Sequence, residues 1–226
     1  GRSGASMILH MNALEWMTFQ KVTSGRSLVA RIEAIEKELY GEIGKEPLGE
    51  RIERLTYDLL GTSRINVASQ QIPAETTIRI RVLTEINSGK MKVGDTVRYE
   101  AAESVIIDNK LVIPAGAQGV GTVKEVRQAG RLGRDGLVTV EWGELPAVDG
   151  TPIKLTIGLK ASERNQSAEL AAGAAIAGVL LFSSPLGLAA GALVIGNEHV
   201  VPVGTEFFAE VASDRTVNGL SLIPAF

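Results

Sequence analysis

The feature that most constrains the fold of this chain is a long stretch without any ionisable side chain. It covers residues 170–197, 28 positions between Glu169 and Glu198 that are mostly Gly, Ala, Leu, Ile and Val. No other part of the 226-residue chain is so apolar. Because apolar surface is driven out of water, this stretch has to be buried in protein or in lipid.

The apolar stretch divides into two limbs of small residues. Residues 170–182 and 186–197 are joined at Ser183-Ser184-Pro185, and proline disfavours helix at the residue before it. This pattern predicts a helical hairpin. Its glycines leave faces with almost no side-chain bulk, so backbones can approach closely, as helices do in lipid. We predict that the membrane or oligomer contact is made by Gly173, Gly178, Pro185, Gly187, Gly191 and Gly196.

The length of each limb limits what a single hairpin can do. A helix of 12 or 13 residues would extend only about 20 Å, whereas the hydrocarbon core of a bilayer is about 30 Å thick. A membrane role therefore predicts that several copies associate. The alternative is a hairpin buried at a domain or subunit interface, because apolar segments of this length are more often core helices than membrane spans.

Residues 1–61 are predicted to form a helical arm with a 20-residue repeat. A first helical pattern covers residues 7–19, and a second begins at the N-cap Ser27 and stops at Gly41. The second pattern recurs 20 residues later and stops at Gly61. Short amphipathic helices are marginal alone, so we expect an arm that binds a partner or, alternatively, a helical cap on the following core. The apolar stripe consists of Leu28, Ile32, Ile35 and Leu39, repeated as Leu48, Ile52, Leu55 and Leu59.

A β-domain is predicted over residues 72–226, after a polar segment at 62–71 that is predicted to be a linker. The apolar period changes to two at residues 77–83, and short runs of strand character with Gly, Asp-Asn or Pro turns follow, the last of them before the apolar stretch at residues 153–159. Three similar proline turns lead into strands, beginning at Ile72-Pro73, Ile113-Pro114 and Val201-Pro202. The fold class predicted is α+β: a small antiparallel β-barrel or sandwich with an inserted apolar helical hairpin at 170–197 and an amino-terminal helical arm.

Composition argues against most kinds of chemistry. The chain has no cysteine and two histidines, which excludes thiol catalysis and thiolate metal sites and leaves little for a histidine cluster. We predict no metal and no cofactor. The formal net charge of -3 offers no field to hold nucleic acid. Glu141 and Glu144 lie close together, but carboxylates on such strands normally face solvent, so we predict that the protein is not an enzyme.

A glycine-rich segment at 130–136 carries a local positive charge. It lacks the Lys-Ser/Thr ending of a phosphate-binding loop, so we predict the tip of a long β-hairpin. Arg127, Arg131 and Arg134 make this tip basic, and it is expected to contact lipid headgroups, peptidoglycan carboxylates or an acidic neighbouring subunit. The alternative is a solvated loop without a partner.

Three features follow one another in the β-domain: the Ile-Pro-Ala-Gly run at 113–116, the turn at 146–150 and the apolar stretch at 170–197. In this order they resemble the strand entry, the Pro-x-x-Gly turn and the inserted helices in the carboxy-terminal β-barrel of the outer-membrane-ring subunit of type IV secretion systems. The turn has one residue more here, because three residues separate Pro146 from Gly150. The resemblance implies helices that join neighbouring subunits in a ring through the outer membrane. The amino-terminal repeats look like those of bacterial envelope proteins.

The sequence thus favours a non-enzymatic protein of the bacterial cell envelope, located in the periplasm or outer membrane. We expect it to form homo-oligomers and to insert its glycine-rich hairpin into the outer membrane as a ring, pore or anchor. Outer-membrane lipid, other envelope proteins and peptidoglycan are the expected partners, and nucleic acid is not. The alternative is a soluble structural or assembly module with the hairpin buried at an interface.

Overall fold

The computed structural model describes residues 6–131, 133–172, 179–182, 192–195 and 200–223. These residues form four helices: α1 (Met7–Phe19), α2 (Leu28–Tyr40), α3 (Leu48–Leu60) and α4 (Leu159–Ala172). They also form thirteen strands: β1 (Val67–Ile72), β2 (Thr77–Val82), β3 (Thr96–Ala101), β4 (Val105–Ile107), β5 (Lys110–Ile113), β6 (Gln118–Arg127), β7 (Gly136–Glu141), β8 (Glu144–Pro146), β9 (Pro152–Thr156), β10 (Val179–Phe182), β11 (Ala192–Ile195), β12 (Glu206–Val211) and β13 (Arg215–Ser221). The predicted α+β class with an amino-terminal helical arm is confirmed.

The helical arm is a bundle of α1, α2 and α3. Ser27 caps α2 by accepting a hydrogen bond from the Ala30 amide, and the predicted stops Gly41 and Gly61 both have positive φ angles, of 77° and 69°. Each helix places two apolar side chains three residues apart in a common cluster: Met11 and Leu14, Ile32 and Ile35, and Ile52 and Leu55. The 20-residue repeat therefore builds one small core.

Polar contacts link the three helices around this cluster. They join residues that flank the apolar pairs: Arg31 Nε to Glu15 Oε2 at 2.8 Å, Arg51 Nε to Glu36 Oε1 at 2.9 Å, and His10 Nε2 to Thr56 Oγ1 at 2.7 Å. Both arginines and both glutamates are buried. In each contact, the residue after the apolar pair of one helix meets the residue before the apolar pair of another helix. The bundle therefore has an approximate threefold arrangement, with ion pairs at two of the contacts and the His10–Thr56 hydrogen bond at the third.

The opposite side of α1 packs on the β-domain. Leu9, Ala13 and Trp16 belong to the large apolar cluster of the sheets. Asn12 donates to the Val148 carbonyl at 2.8 Å, and the Trp16 indole donates to Ser104 Oγ at 3.0 Å. Helix α1 is therefore covered on two sides and attaches the arm to the rest of the chain.

The described strands form two antiparallel sheets. One has the order β1-β13-β5-β4, and the other, β10-β11-β7-β6-β3-β2-β12-β9-β8, curls into a half-barrel. Strand β2 shows the predicted alternation, because Ile78, Ile80 and Val82 are buried while the arginines between them are partly exposed. The centre of the core holds three aromatic rings in edge-to-face contact: Tyr99, Trp142 and Phe207.

The three proline turns predicted from the sequence adopt one common structure. In each turn the residue two after proline has a positive φ: 66° at Glu75, 85° at Gly116 and 94° at Gly204. Its amide donates to a carbonyl at the end of another strand, at 2.8 Å in all three turns. At Gly116 a Cβ atom would lie 2.0 Å from the Val22 carbonyl oxygen, so only glycine allows the α1–α2 connection to pack there.

Two expectations about the boundaries of elements were wrong. Residues 67–71, predicted as part of a linker, belong to β1, which pairs with β13. Most of β1 is only partly buried, so it lacks the apolar alternation that would have marked it as a strand. Residue 159, expected at the end of a strand, begins α4 instead.

The described parts of the apolar stretch also differ from the helical hairpin that was predicted. Residues 170–172 are helical, but Val179–Phe182 and Ala192–Ile195 are antiparallel strands, and β11 pairs with β7. The helical prediction is wrong for these eight residues. A run of four apolar residues has no period that distinguishes strand from helix, and the edge of β7 offers backbone partners that the sequence pattern does not show.

Candidate functional site at the base of the apolar insertion

The two ends of the apolar stretch are attached to the same sheet. Helix α4 leads into the stretch, and the chain returns at Val201, whose amide and carbonyl both bond to Ile86 at 2.9 Å. Strand β12 then follows and lies between β2 and β9. The β-domain therefore holds the stretch at both ends.

Asn165 fastens α4 to β12. Its side chain donates to the Phe208 carbonyl at 3.1 Å and accepts from the Phe208 amide at 2.7 Å. Asn165 is 2% exposed, so both bonds are made away from water. The amide side chain thus satisfies the backbone of β12 as a neighbouring strand would.

Glu210 on β12 caps the beginning of α4. Its Oε2 atom accepts from the Ala161 amide at 2.7 Å, although the carboxylate is almost completely buried. The free amides and the dipole at a helix N-terminus stabilise a negative charge there. Arg164 adds a third contact, with its guanidinium 4.3 Å from the Phe208 ring centre. The roles of Asn165 and Glu210 could not be predicted from the sequence, because a contact across 43 or 49 residues leaves no local pattern.

The basic tip lies beside the apolar stretch. Strands β6 and β7 form the predicted hairpin, with Arg127 opposite Leu137. On the other side of β7, Leu137 is opposite Val194 and Gly136 is opposite Ile195. The loop between β6 and β7 therefore lies at the same end of the sheet as the paired residues Val179 and Ile195 of β10 and β11.

The three arginines of the tip are exposed. Arg127, Arg131 and Arg134 form no ion pair with any carboxylate in the described ranges. Gly130 and Arg134 close the loop with a backbone hydrogen bond of 3.0 Å. The tip therefore presents positive charge next to the most apolar part of the sequence.

The residues predicted to form the membrane or oligomer contact cannot be placed against this geometry. They lie outside the described residues: Gly173, Gly178, Pro185, Gly187, Gly191 and Gly196. Their role stays a prediction.

The apolar stripe of the arm faces the interior of the bundle. Ile32, Ile35, Ile52 and Leu55 are buried, and Leu28, Leu48 and Leu59 pack against them. Leu39 is 40% exposed. The side chains thus contact other helices of the same chain, and the partner-binding role predicted for the stripe stays a prediction.

No metal centre is apparent among the described residues, where no three His, Asp or Glu side chains come together in a suitable group. Within the same residues, none of the helices has the length and apolar character needed to cross a bilayer.

Comparison with known proteins gives a weak structural likeness. No protein-family model matches the chain, and no curated protein matches it. The chain is similar to the structure of ComB10 from the Com type IV secretion system of Helicobacter pylori, with 16% sequence identity over 64% of this chain and 88% of that chain. The TM-score is 0.35, so the likeness is slight and concerns the fold alone.

Proposed function

We propose that the protein is a non-enzymatic component of the bacterial cell envelope that self-associates and anchors to the outer membrane through residues 170–197. The observation that supports this most directly is the position of the basic tip beside the apolar stretch. Apolar residues enter the acyl region of a membrane, while cations beside them remain at the level of anionic headgroups.

The charge of the tip is suited to an anionic lipid surface. Each arginine near an anionic membrane contributes about 1 kcal/mol. The three arginines at the tip, less the opposing charge of the exposed Asp135 beside Arg134, would thus add about 2 kcal/mol to the burial of the apolar stretch. The fixed β6–β7 hairpin holds both features at one end of the sheet, so a single surface can engage both.

Self-association is part of the proposal because the described strands are short. Four residues extend about 13 Å, whereas a strand that crosses a bilayer needs about 9–11 residues. Strand β10 is the outermost strand of the described sheet, so its outer backbone groups can pair with another copy.

A flotation experiment tests the lipid contact. The full chain is mixed with vesicles of phosphatidylglycerol and phosphatidylcholine, or of phosphatidylcholine alone, and bound protein is measured after centrifugation. We expect binding to the anionic vesicles and a loss of at least tenfold in the triple variant Arg127→Gln/Arg131→Gln/Arg134→Gln. The control Lys45→Gln/Lys92→Gln/Arg215→Gln removes the same charge from exposed positions elsewhere and should bind like wild type. Equal losses in both variants, or no binding by wild type, would refute the lipid contact.

The second candidate function, a soluble assembly module, is favoured by the β10 edge itself. If β10 pairs with another copy, the oligomer should form in water without lipid and should dissociate in Leu181→Pro, because proline removes a backbone donor from the strand. Sedimentation velocity in buffer and in mild detergent separates the two functions. An oligomer that forms in buffer and does not bind vesicles would support the assembly module and overturn the anchor.

A further inference from the structure

A cationic cleft lies between the arm and the β-domain, away from the apolar stretch. It has a volume of about 640 Å³ and is bounded by the α1–α2 connection and by the outer faces of β2, β3 and β6. Clefts that hold small ligands usually measure about 300–1,000 Å³. This cleft is therefore large enough for a ligand the size of a sugar phosphate or a short peptide.

The charges around the cleft are unbalanced. Lys21 and Arg26 line it from the connection and Arg98 from β3. None of the three forms an ion pair with a carboxylate of the described residues. The cleft is thus locally positive in a chain whose formal net charge is -3. Cations without a protein partner in a concave site attract anions.

Arg81, the fourth cation of the cleft, is already engaged. Its guanidinium contacts Glu100 and Glu206, each at 2.7 Å. The hydrogen bond to Glu206, and to a smaller extent the one to Glu100, raises the pKa of the Arg81 guanidinium above its ordinary value. Arg81 therefore forms part of the wall and leaves Lys21, Arg26 and Arg98 as the groups that can bind a ligand.

The walls of the cleft are held in place by the rest of the protein. The Val22 amide donates to the Ala115 carbonyl at 2.8 Å, and the Thr23 amide donates to Glu15 at 3.0 Å. Gln118 lies between the two sides, because its Oε1 atom accepts from Arg98 at 3.4 Å and would be 3.4 Å from a Cβ at position 25. A ligand would thus enter a preformed site and lose little affinity to the ordering of loops.

We propose that this cleft binds a small anionic ligand through phosphate or carboxylate oxygens, with Arg98 as the main contact and Lys21 and Arg26 completing the site. The planar guanidinium of arginine binds such oxygens in a bidentate manner, which a single lysine cannot do. The site is separate from the basic tip and does not depend on a membrane.

Isothermal titration tests the site with two probes. Inorganic pyrophosphate represents phosphate ligands and citrate represents carboxylate ligands, and the purified full chain is titrated with each at low salt. We expect saturable binding of at least one probe, and the stronger probe identifies the ligand class. Binding should weaken at least tenfold in Arg98→Gln and also in Arg26→Gln.

The control variant is Arg215→Gln, which removes one positive charge from an exposed position on β13, outside both the cleft and the basic tip. It should retain wild-type affinity for the probe. Thermal unfolding of all variants checks that the exposed substitutions leave the fold intact. Absence of saturable binding by wild type, or equal weakening in Arg98→Gln and Arg215→Gln, would show that no specific anion site exists.

Discussion

The helical arm and the β-domain are stabilised by different kinds of contact. The arm has three 13-residue helices, six fully packed apolar side chains and two buried arginine–glutamate pairs. The β-domain has a much larger apolar cluster, and its arginine–glutamate pairs, such as Arg81 with Glu206, lie on the partly exposed face of the sheet. Where the apolar core is small, buried ion pairs connect the helices. Where the core is large, backbone ladders and turns connect the elements.

The largest loss of stability is expected at Glu36, and it tests the difference between the two regions. Glu36→Gln leaves Arg51 buried opposite a neutral group, and removing one member of a buried pair costs about 3–5 kcal/mol. Arg81→Gln on the sheet should cost about 0–1 kcal/mol, because surface pairs are screened by water. Urea unfolding at pH 7 measures both. Similar losses for the two variants would contradict the assigned difference between the regions.

The effect of Glu36 should depend on pH. Hydrogen bonds from Arg51 lower the pKa of Glu36 below its ordinary value of 4.5. The stabilisation from its charge is therefore complete above pH 4.5 and is lost as the pH falls through the lowered pKa. The stability difference between wild type and Glu36→Gln should shrink in that acidic range, and a difference that grows there would contradict the assignment.

The junction of the two regions is tested at Gly116. Gly116→Ala requires a side chain at positive φ and displaces the Val22 carbonyl of the connection, and we expect a loss of about 3 kcal/mol. Gly204→Ala is the matched control: it has the same turn and a similar φ, with no atom within 4 Å of the added Cβ. It should lose only about 1 kcal/mol. Thermal unfolding compares them, and equal losses would mean that the contact with Val22 is unimportant.

A smaller effect is expected where α4 meets β12. Asn165→Ala removes both bonds to the Phe208 backbone and should cost about 2 kcal/mol. The loss should be concentrated at the base of the apolar stretch. Hydrogen exchange should therefore accelerate at the Phe208 amide and not at the Ile80 amide on β2. Uniform acceleration throughout the sheet would show that Asn165 supports the whole domain instead.

The smallest effect concerns the third polar contact of the arm. Burial lowers the pKa of His10 below its ordinary value of 6.5, so the folded state loses stability as the pH falls below 6.5. Thr56→Glu would place a carboxylate opposite His10 and complete the set of ion pairs. The pKa of His10 should then rise, and the stability lost on acidification should be smaller than in wild type by about 0.5–1 kcal/mol. An NMR titration of His10 detects the shift, and a pKa unchanged or lowered further would show that the third contact is not equivalent to the others.

Several elements were predicted correctly because their signals are local. The period of 3.6 marks α2 and α3, the period of two marks β2, and glycine at a fixed distance from proline marks the turns at Gly116 and Gly204. Strand β1 was missed since its residues are only partly buried and so carry no apolar alternation. The basic tip was recognised from three arginines, but nothing in the chain indicated its neighbour.

By itself, the sequence determined that this chain has repeated short helices, a β-domain and one stretch that must avoid water, because composition, period and turn residues act over a few positions. The tertiary structure decided the contacts that separate parts of the chain make with each other. It placed β11 beside β7, the basic tip beside the apolar stretch, and Asn165 against the Phe208 backbone. A four-residue apolar run is compatible with helix or strand, and the unpaired backbone groups at the edge of β7 decide between them.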